Sequence, residues 1–125
     1  RSTVHAETSE FPTLPDEVGV RERVRVLLGY VQTREKTLVS RFLVLHEYLR
    51  RRDSGVLPDE LIAGMEAYAS SVSRFLGSED VEVGRFVLSL VNGVLLRRHL
   101  DGGQTRWDSM GPMLEDALIR QIGRG

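Results

Sequence analysis

Apolar residues recur at three- and four-residue spacing along most of this chain, and that spacing predicts helices. The longest apolar segment runs from Val81 to Leu100, VEVGRFVLSLVNGVLLRRHL. Val83, Phe86, Val87, Leu90, Val91, Val94 and Leu95 fall on one broad stripe, and Leu88 and Leu96 add apolar surface off its centre. A helix that is apolar on more than one side needs more than one neighbour. One side can close its own domain. The other requires a second chain, a ligand or a membrane.

Four more helices follow from the same spacing. Asp16 or Glu17 opens the first, whose stripe is Val20, Val24, Leu27, Leu28 and Val31. Gly29 weakens it and marks a place where another backbone can come close. Thr33 is the expected N-cap of the second helix, which runs to about Arg52. Leu38, Phe42, Leu45 and Leu49 form one stripe there, with Val39, Leu43 and His46 beside it, which predicts a broadly buried helix. Arg50-Arg51-Arg52 and then Asp53-Ser54-Gly55 end it. Pro58 suits the first position of the third helix, whose apolar face includes Leu61, Ile62, Met65, Tyr68, Ala69 and Val72 and which stops at Gly77. Ser78 or Asp80 caps the central helix, and Asp101-Gly102-Gly103 ends it. The last helix is expected from near Asp108 or Ser109, with Pro112 in its first turn and Met113, Leu114, Ala117, Leu118 and Ile122 facing inward.

No two-residue alternation persists and no hairpin signal separates strand-like runs. The fold class expected is all-α, a five-helix bundle whose last two helices are antiparallel neighbours. Residues 1–15 form an irregular N-terminal segment, with Phe11 and Leu14 touching the body or, alternatively, a disordered tail. Residues 16–125 form one helical domain.

Composition narrows the function. The chain has 125 residues, 41% of them hydrophobic and 28% charged, which suits one globular domain. It has no cysteine, so disulfides and thiolate chemistry are excluded, and a reducing, cytoplasmic setting is expected. A formal net charge of −1 gives no bulk reason to bind nucleic acid. No segment approaches the roughly 18–20 unbroken apolar residues of a membrane span, because Glu82, Arg85, Asn92, Arg97 and Arg98 interrupt the central helix. Residues 1–15 lack the apolar stretch of a signal peptide. The sequence does not start with Met, which suggests a processed or truncated piece of a longer chain.

Catalytic and metal patterns are missing. His5, His46 and His99 have no partner at metal-ligand spacing, and no nucleophile elbow, P-loop or dinucleotide fingerprint occurs. The expectation is therefore a non-enzyme without a cofactor. His5 is a surface histidine. His46 is either a satisfied core histidine or one orienting group in a pocket between helices. Arg41 either snorkels outward or meets an acidic ligand. Tyr30, Phe42, His46, Met65, Tyr68 and Phe86 are the candidate pocket residues, chosen by helix face. Leu88, Val91, Asn92 and Leu95 on the central helix and Trp107, Met113, Leu114 and Leu118 on the last are the candidate dimer interface. Asn92-Gly93 suits a tight helix crossing, and Trp107 suits either a hydrophobic staple or a dimer anchor.

The segment Leu90-Val91-Asn92-Gly93-Val94-Leu95-Leu96-Arg97, followed by a short loop and RWDSMGPMLEDALIRQI, resembles the C-terminal domain of TetR-family transcriptional regulators. VRERVRVLLGYVQTREKTLVSRFLVLHEYL is similar to the helices that enclose the inducer pocket in that family. The resemblance spans roughly residues 20–122. It implies a homodimer in which the last two helices pair with their copies as a four-helix interface. It also implies a small, largely apolar effector that modulates DNA binding by an N-terminal helix-turn-helix domain missing from this sequence, with no membrane partner. The family has no universal ligand residues, so the pocket candidates rest on helix faces. The alternative is a helical homodimeric interaction module with no ligand pocket.

Overall fold

The computed structural model describes residues 11–52 and 57–124. Five α-helices follow one another among them: α1 Val20–Thr33, α2 Glu35–Arg50, α3 Asp59–Phe75, α4 Val81–Leu100 and α5 Trp107–Arg124. None of the described residues is in a strand, and none of the helices they form is long and apolar enough to cross a membrane. The fold is an all-α bundle. His5 and the Asp53-Ser54-Gly55 turn lie outside the described residues.

α3 and α4 form the most extensive packing pair, and the turn between them explains why. Gly77, with φ of 88°, takes the left-handed conformation that ends α3. The Ser78 amide then donates to Ser73 O and the Gly77 amide to Arg74 O, which satisfies the last carbonyls of the helix. Asp80 caps α4, its carboxylate accepting from the Glu82 amide at 3.0 Å. Ser73 is 1% exposed and serves both helices. Its hydroxyl donates to Asp80 O at 2.8 Å and accepts from the Gly84 amide at 2.7 Å. At Gly84 the backbones nearly touch: a Cβ there would sit 1.9 Å from Ala69 O. Within the chain the close approach expected at Gly29 occurs instead at Gly84, since a Cβ on Gly29 would meet open space.

The core continues outward from this pair. Val72, Leu76, Val87, Val91 and Leu95 meet Val24, Leu27 and Leu28 of α1 and Leu114 and Leu118 of α5. α1 begins at Val20 rather than at Asp16 or Glu17. The Arg23 guanidinium holds Pro15 O, Val18 O and Phe75 O, so residues 15–19 curl into a turn around it instead of joining the helix. The same arginine caps the end of α3. Phe11 stacks on Phe75 and Tyr68 at the bundle surface, and Leu14 packs against the core.

Three other boundaries differ from expectation. The Thr33 hydroxyl donates backward to Gly29 O, so it ends α1 instead of capping α2, and Arg34 alone joins the two helices. Pro58 is the residue before α3, which starts at Asp59. α5 starts at Trp107, which places Pro112 in the second turn, where it leaves Asp108 O without its helical donor. Both residues are exposed, so water can take that place.

The larger difference is α2. The two apolar stripes predict a broadly buried helix, yet α2 has no buried residue. Phe42 and Leu43 are each 38% exposed and Val44 is 68% exposed. Leu38 and Val39 pack against the core at the start of the helix, whereas Phe42 and Leu45 further along border a cavity.

Gly84→Ala is expected to destabilise the domain by about 3 kcal/mol or more, because the nearest obstacle is backbone that cannot swing away. Gly29→Ala is expected to stabilise it by about 0.5–1 kcal/mol through helix propensity alone. Urea denaturation of the two variants measures both.

Candidate functional site

α2 stands off from α3 and α4 and leaves an apolar cleft of about 630 Å³ between them. Its floor is core surface: Leu27 and Val31 of α1, Ala69 and Val72 of α3, Val87 and Val91 of α4. Its outer wall is the inward face of α2, with Leu38, Phe42, Leu45 and Leu49 one helical turn apart. A second groove of about 770 Å³ runs along the outer side of the α2–α3 seam, past Lys36, Val44, Leu61 and Gly64. Leu38, Arg41, Leu45, Met65 and Tyr68 border both spaces, so this seam is where the cleft opens toward solvent.

Four of the six candidate pocket residues meet in the cleft: Phe42, His46, Met65 and Tyr68. Phe42 and His46 stack with ring centroids 6.4 Å apart. The other two lie elsewhere. Tyr30 packs on Phe11, with the Arg34 guanidinium 4.1 Å over its ring. Phe86 lies across α4 from Leu88 and Asn92, 37% exposed on the outer surface. Helix faces placed Phe42 and Met65 on the side that borders the cleft, but periodicity does not say which neighbour a broad apolar helix such as α4 turns to each side.

The candidate interface residues divide in the same way. Leu88, Val91 and Asn92 border the cleft. Val91, Leu95, Leu114 and Leu118 are at most 5% exposed in the chain's own core, so they offer no surface to a second subunit. Met113 is 65% exposed on α5, and Leu100 at the end of α4 is 73% exposed. Trp107 is half-buried, and its indole N–H donates to Glu35 at 3.1 Å.

Two ion-pair groups frame the cleft. At one rim the Arg85 guanidinium binds Glu66 of α3 through two nitrogens and Glu82 of its own helix at 2.8 Å. The hydrogen bonds from Arg85 hold the Glu66 carboxyl below the usual carboxylate range, so this rim sets one guanidinium against two carboxylates. At the other end Glu35, in the first turn of α2, accepts from Arg98 Nε at 2.7 Å and from Trp107. Arg98 also donates to Thr105 O at 2.6 Å. One carboxylate thereby joins the start of α2, the end of α4 and the start of α5. Burial works to raise the Glu35 pKa, but the Arg98 and Trp107 hydrogen bonds outweigh it and the net displacement is downward.

Among the described residues no three His, Asp or Glu side chains cluster in a way that could hold a metal. The cleft has the ingredients of a binding site: an apolar concavity with few polar groups, formed between helices. Comparison with protein-family models, with curated proteins and with solved structures gives no significant match.

Glu35→Gln is expected to cost about 1–2 kcal/mol at neutral pH, because a charge-assisted bond becomes a neutral one. The folded pKa of Glu35 lies below its ordinary 4.5, so its contribution is fully present above that value and disappears as pH falls through the folded one. Urea denaturation at neutral pH and near pH 3 should show the gap between wild type and variant closing in acid.

Proposed function

We propose that this chain is the effector-sensing and dimerising domain of a TetR-like transcriptional regulator. It binds a small, largely apolar molecule in the cleft between α2, α3 and α4. The observation that carries this reading is the cleft itself. A space of about 630 Å³ with an apolar floor and an apolar helix as its wall is within the size range of small-molecule sites. The half-exposed state of α2 supports it further. A ligand filling the cleft would cover Phe42 and Leu45 and favour one position of α2 over another.

Such a shift would alter how α4 and α5 sit against a second subunit, and through it the spacing of two DNA-reading heads in the full-length regulator. The coupling can be no larger than the ligand's preference between the two positions. Exposed Phe86, Leu100 and Met113 give the α4–α5 side an apolar surface suited to a symmetry mate. The resemblance in the Leu90–Arg97 segment favours the same side.

A second reading has its own observation. Leu43, Val44, Leu61 and Ile62 are also exposed, and they lie along α2 and the first half of α3. An interaction module without a ligand would use that edge for its partner chain.

Saturation with a well-fitting apolar compound at about 100 times its Kd should stabilise the purified domain by about 2.7 kcal/mol in urea denaturation. No stabilisation by any member of a broad apolar library would count against the sensing half. Sedimentation at high concentration should show a dimer, and a monomer would sink the dimerising half. Because the chain lacks cysteine, single substitutions report which face pairs. Met113→Cys should form an intersubunit crosslink and Val44→Cys should not; the reverse pattern would favour the interaction module.

A further inference from the structure

Two polar side chains in the cleft wall make no hydrogen bond within the described protein. Asn92, on the cleft side of α4, and His46, on the inward side of α2, both border the cavity. Among the described residues neither the Asn92 amide nor the His46 ring takes part in a hydrogen bond, and both residues are exposed. The other polar groups there are engaged. Arg85 and Glu66 are paired with each other. The Ser89 hydroxyl donates to Arg85 O at 2.8 Å. Arg41 borders both the cleft and the outer groove, so it belongs to the opening, and it has an interaction of its own.

The two groups face the cleft from different walls, His46 from α2 and Asn92 from α4. α2 begins beside the end of α4, where Glu35 pairs with Arg98. The nearby rim sets one guanidinium, Arg85, between two carboxylates, Glu66 and Glu82.

We propose that the cleft reads a neutral ligand with an apolar body and one hydrogen-bonding group, such as a ketone, ester, amide or hydroxyl, held by His46 and Asn92. This rests on the reading of the cleft as a ligand pocket. Carboxylates with the same chain bind more weakly, because they lose hydration beside a rim where Glu66 and Glu82 outnumber Arg85.

The test uses diphenylhexatriene, a hydrocarbon whose fluorescence rises in apolar surroundings, as reporter on the purified domain. 2-Undecanone and undecanoate compete against it. The variants are Asn92→Leu, which keeps the volume, and His46→Phe, which keeps a ring against Phe42. Both positions are exposed, and circular dichroism checks that the helices persist. The expected result is that all three proteins bind the reporter, whose Kd is measured in each to correct the competition, with 2-undecanone displacing it at lower concentration than undecanoate in the wild type. Each variant should bind 2-undecanone about fivefold more weakly, the worth of one net hydrogen bond. Equal 2-undecanone affinity in wild type and both variants, with the reporter still bound, would overturn polar recognition while leaving the pocket standing. Preference for undecanoate would overturn the neutral class. Failure of the reporter to bind the wild type would remove the pocket and this proposal together.

Discussion

The hydroxyl of Ser73 decides how closely α3 and α4 approach, and the bundle is built outward from that contact. It links the cap of α4 to the last turn of α3 and meets the Gly84 amide where a side chain could not fit. A buried hydroxyl is tolerated because both its donor and its acceptor capacity are used. With the two backbones this close, Ala69, Val72, Val87 and Val91 form a continuous apolar sheet of small side chains. Part of that sheet receives α1 and α5. The remainder is the floor of the cleft.

α2 is held by different means from the rest. The other four helices each supply buried residues to the core, whereas α2 supplies none. Burying a Leu or Phe fully contributes about 1.5–3 kcal/mol, and the inward side chains of α2 gain only part of that. What fixes its first turn is polar: Glu35 between Arg98 and Trp107. A helix fastened at one end and loosely packed along its length suits a site whose wall must accommodate something.

Much of this arrangement was legible in the sequence because it is local. The stripes of α1, α3 and α5 identify the residues that become core, and Gly77 and Asp80 mark the turn between α3 and α4. Two kinds of information were not local. The apolar stripe of α2 does not say whether a side chain or a void will oppose it, so the helix reads as buried when it borders a cavity. Gly84 looks like an ordinary helix-weakening residue beside Gly29 and Gly93, and only the approach of Ala69 distinguishes it. The same limit applies to the candidate site. Phe42, His46, Met65 and Tyr68 could be grouped by helix face. Tyr30 and Phe86 could not be excluded until the rotation of α1 and α4 was known. Trp107 shows the converse. Its partner, Glu35, lies 72 residues away in the chain, and no spacing rule connects them.

The single-residue joint at Arg34 has a mechanical consequence. α2 has 16 residues and is therefore about 24 Å long. Its first turn is tethered to the ends of α4 and α5, so any tilt pivots there. A rotation of about 10° would carry the Leu49 end by about 4 Å, close to the width of one methylene chain. Because the pivot is also the point where α5 begins, the helix acts as a long arm working against a short one. A tilt would move the helix most beside the cavity and would load Arg98 and Trp107.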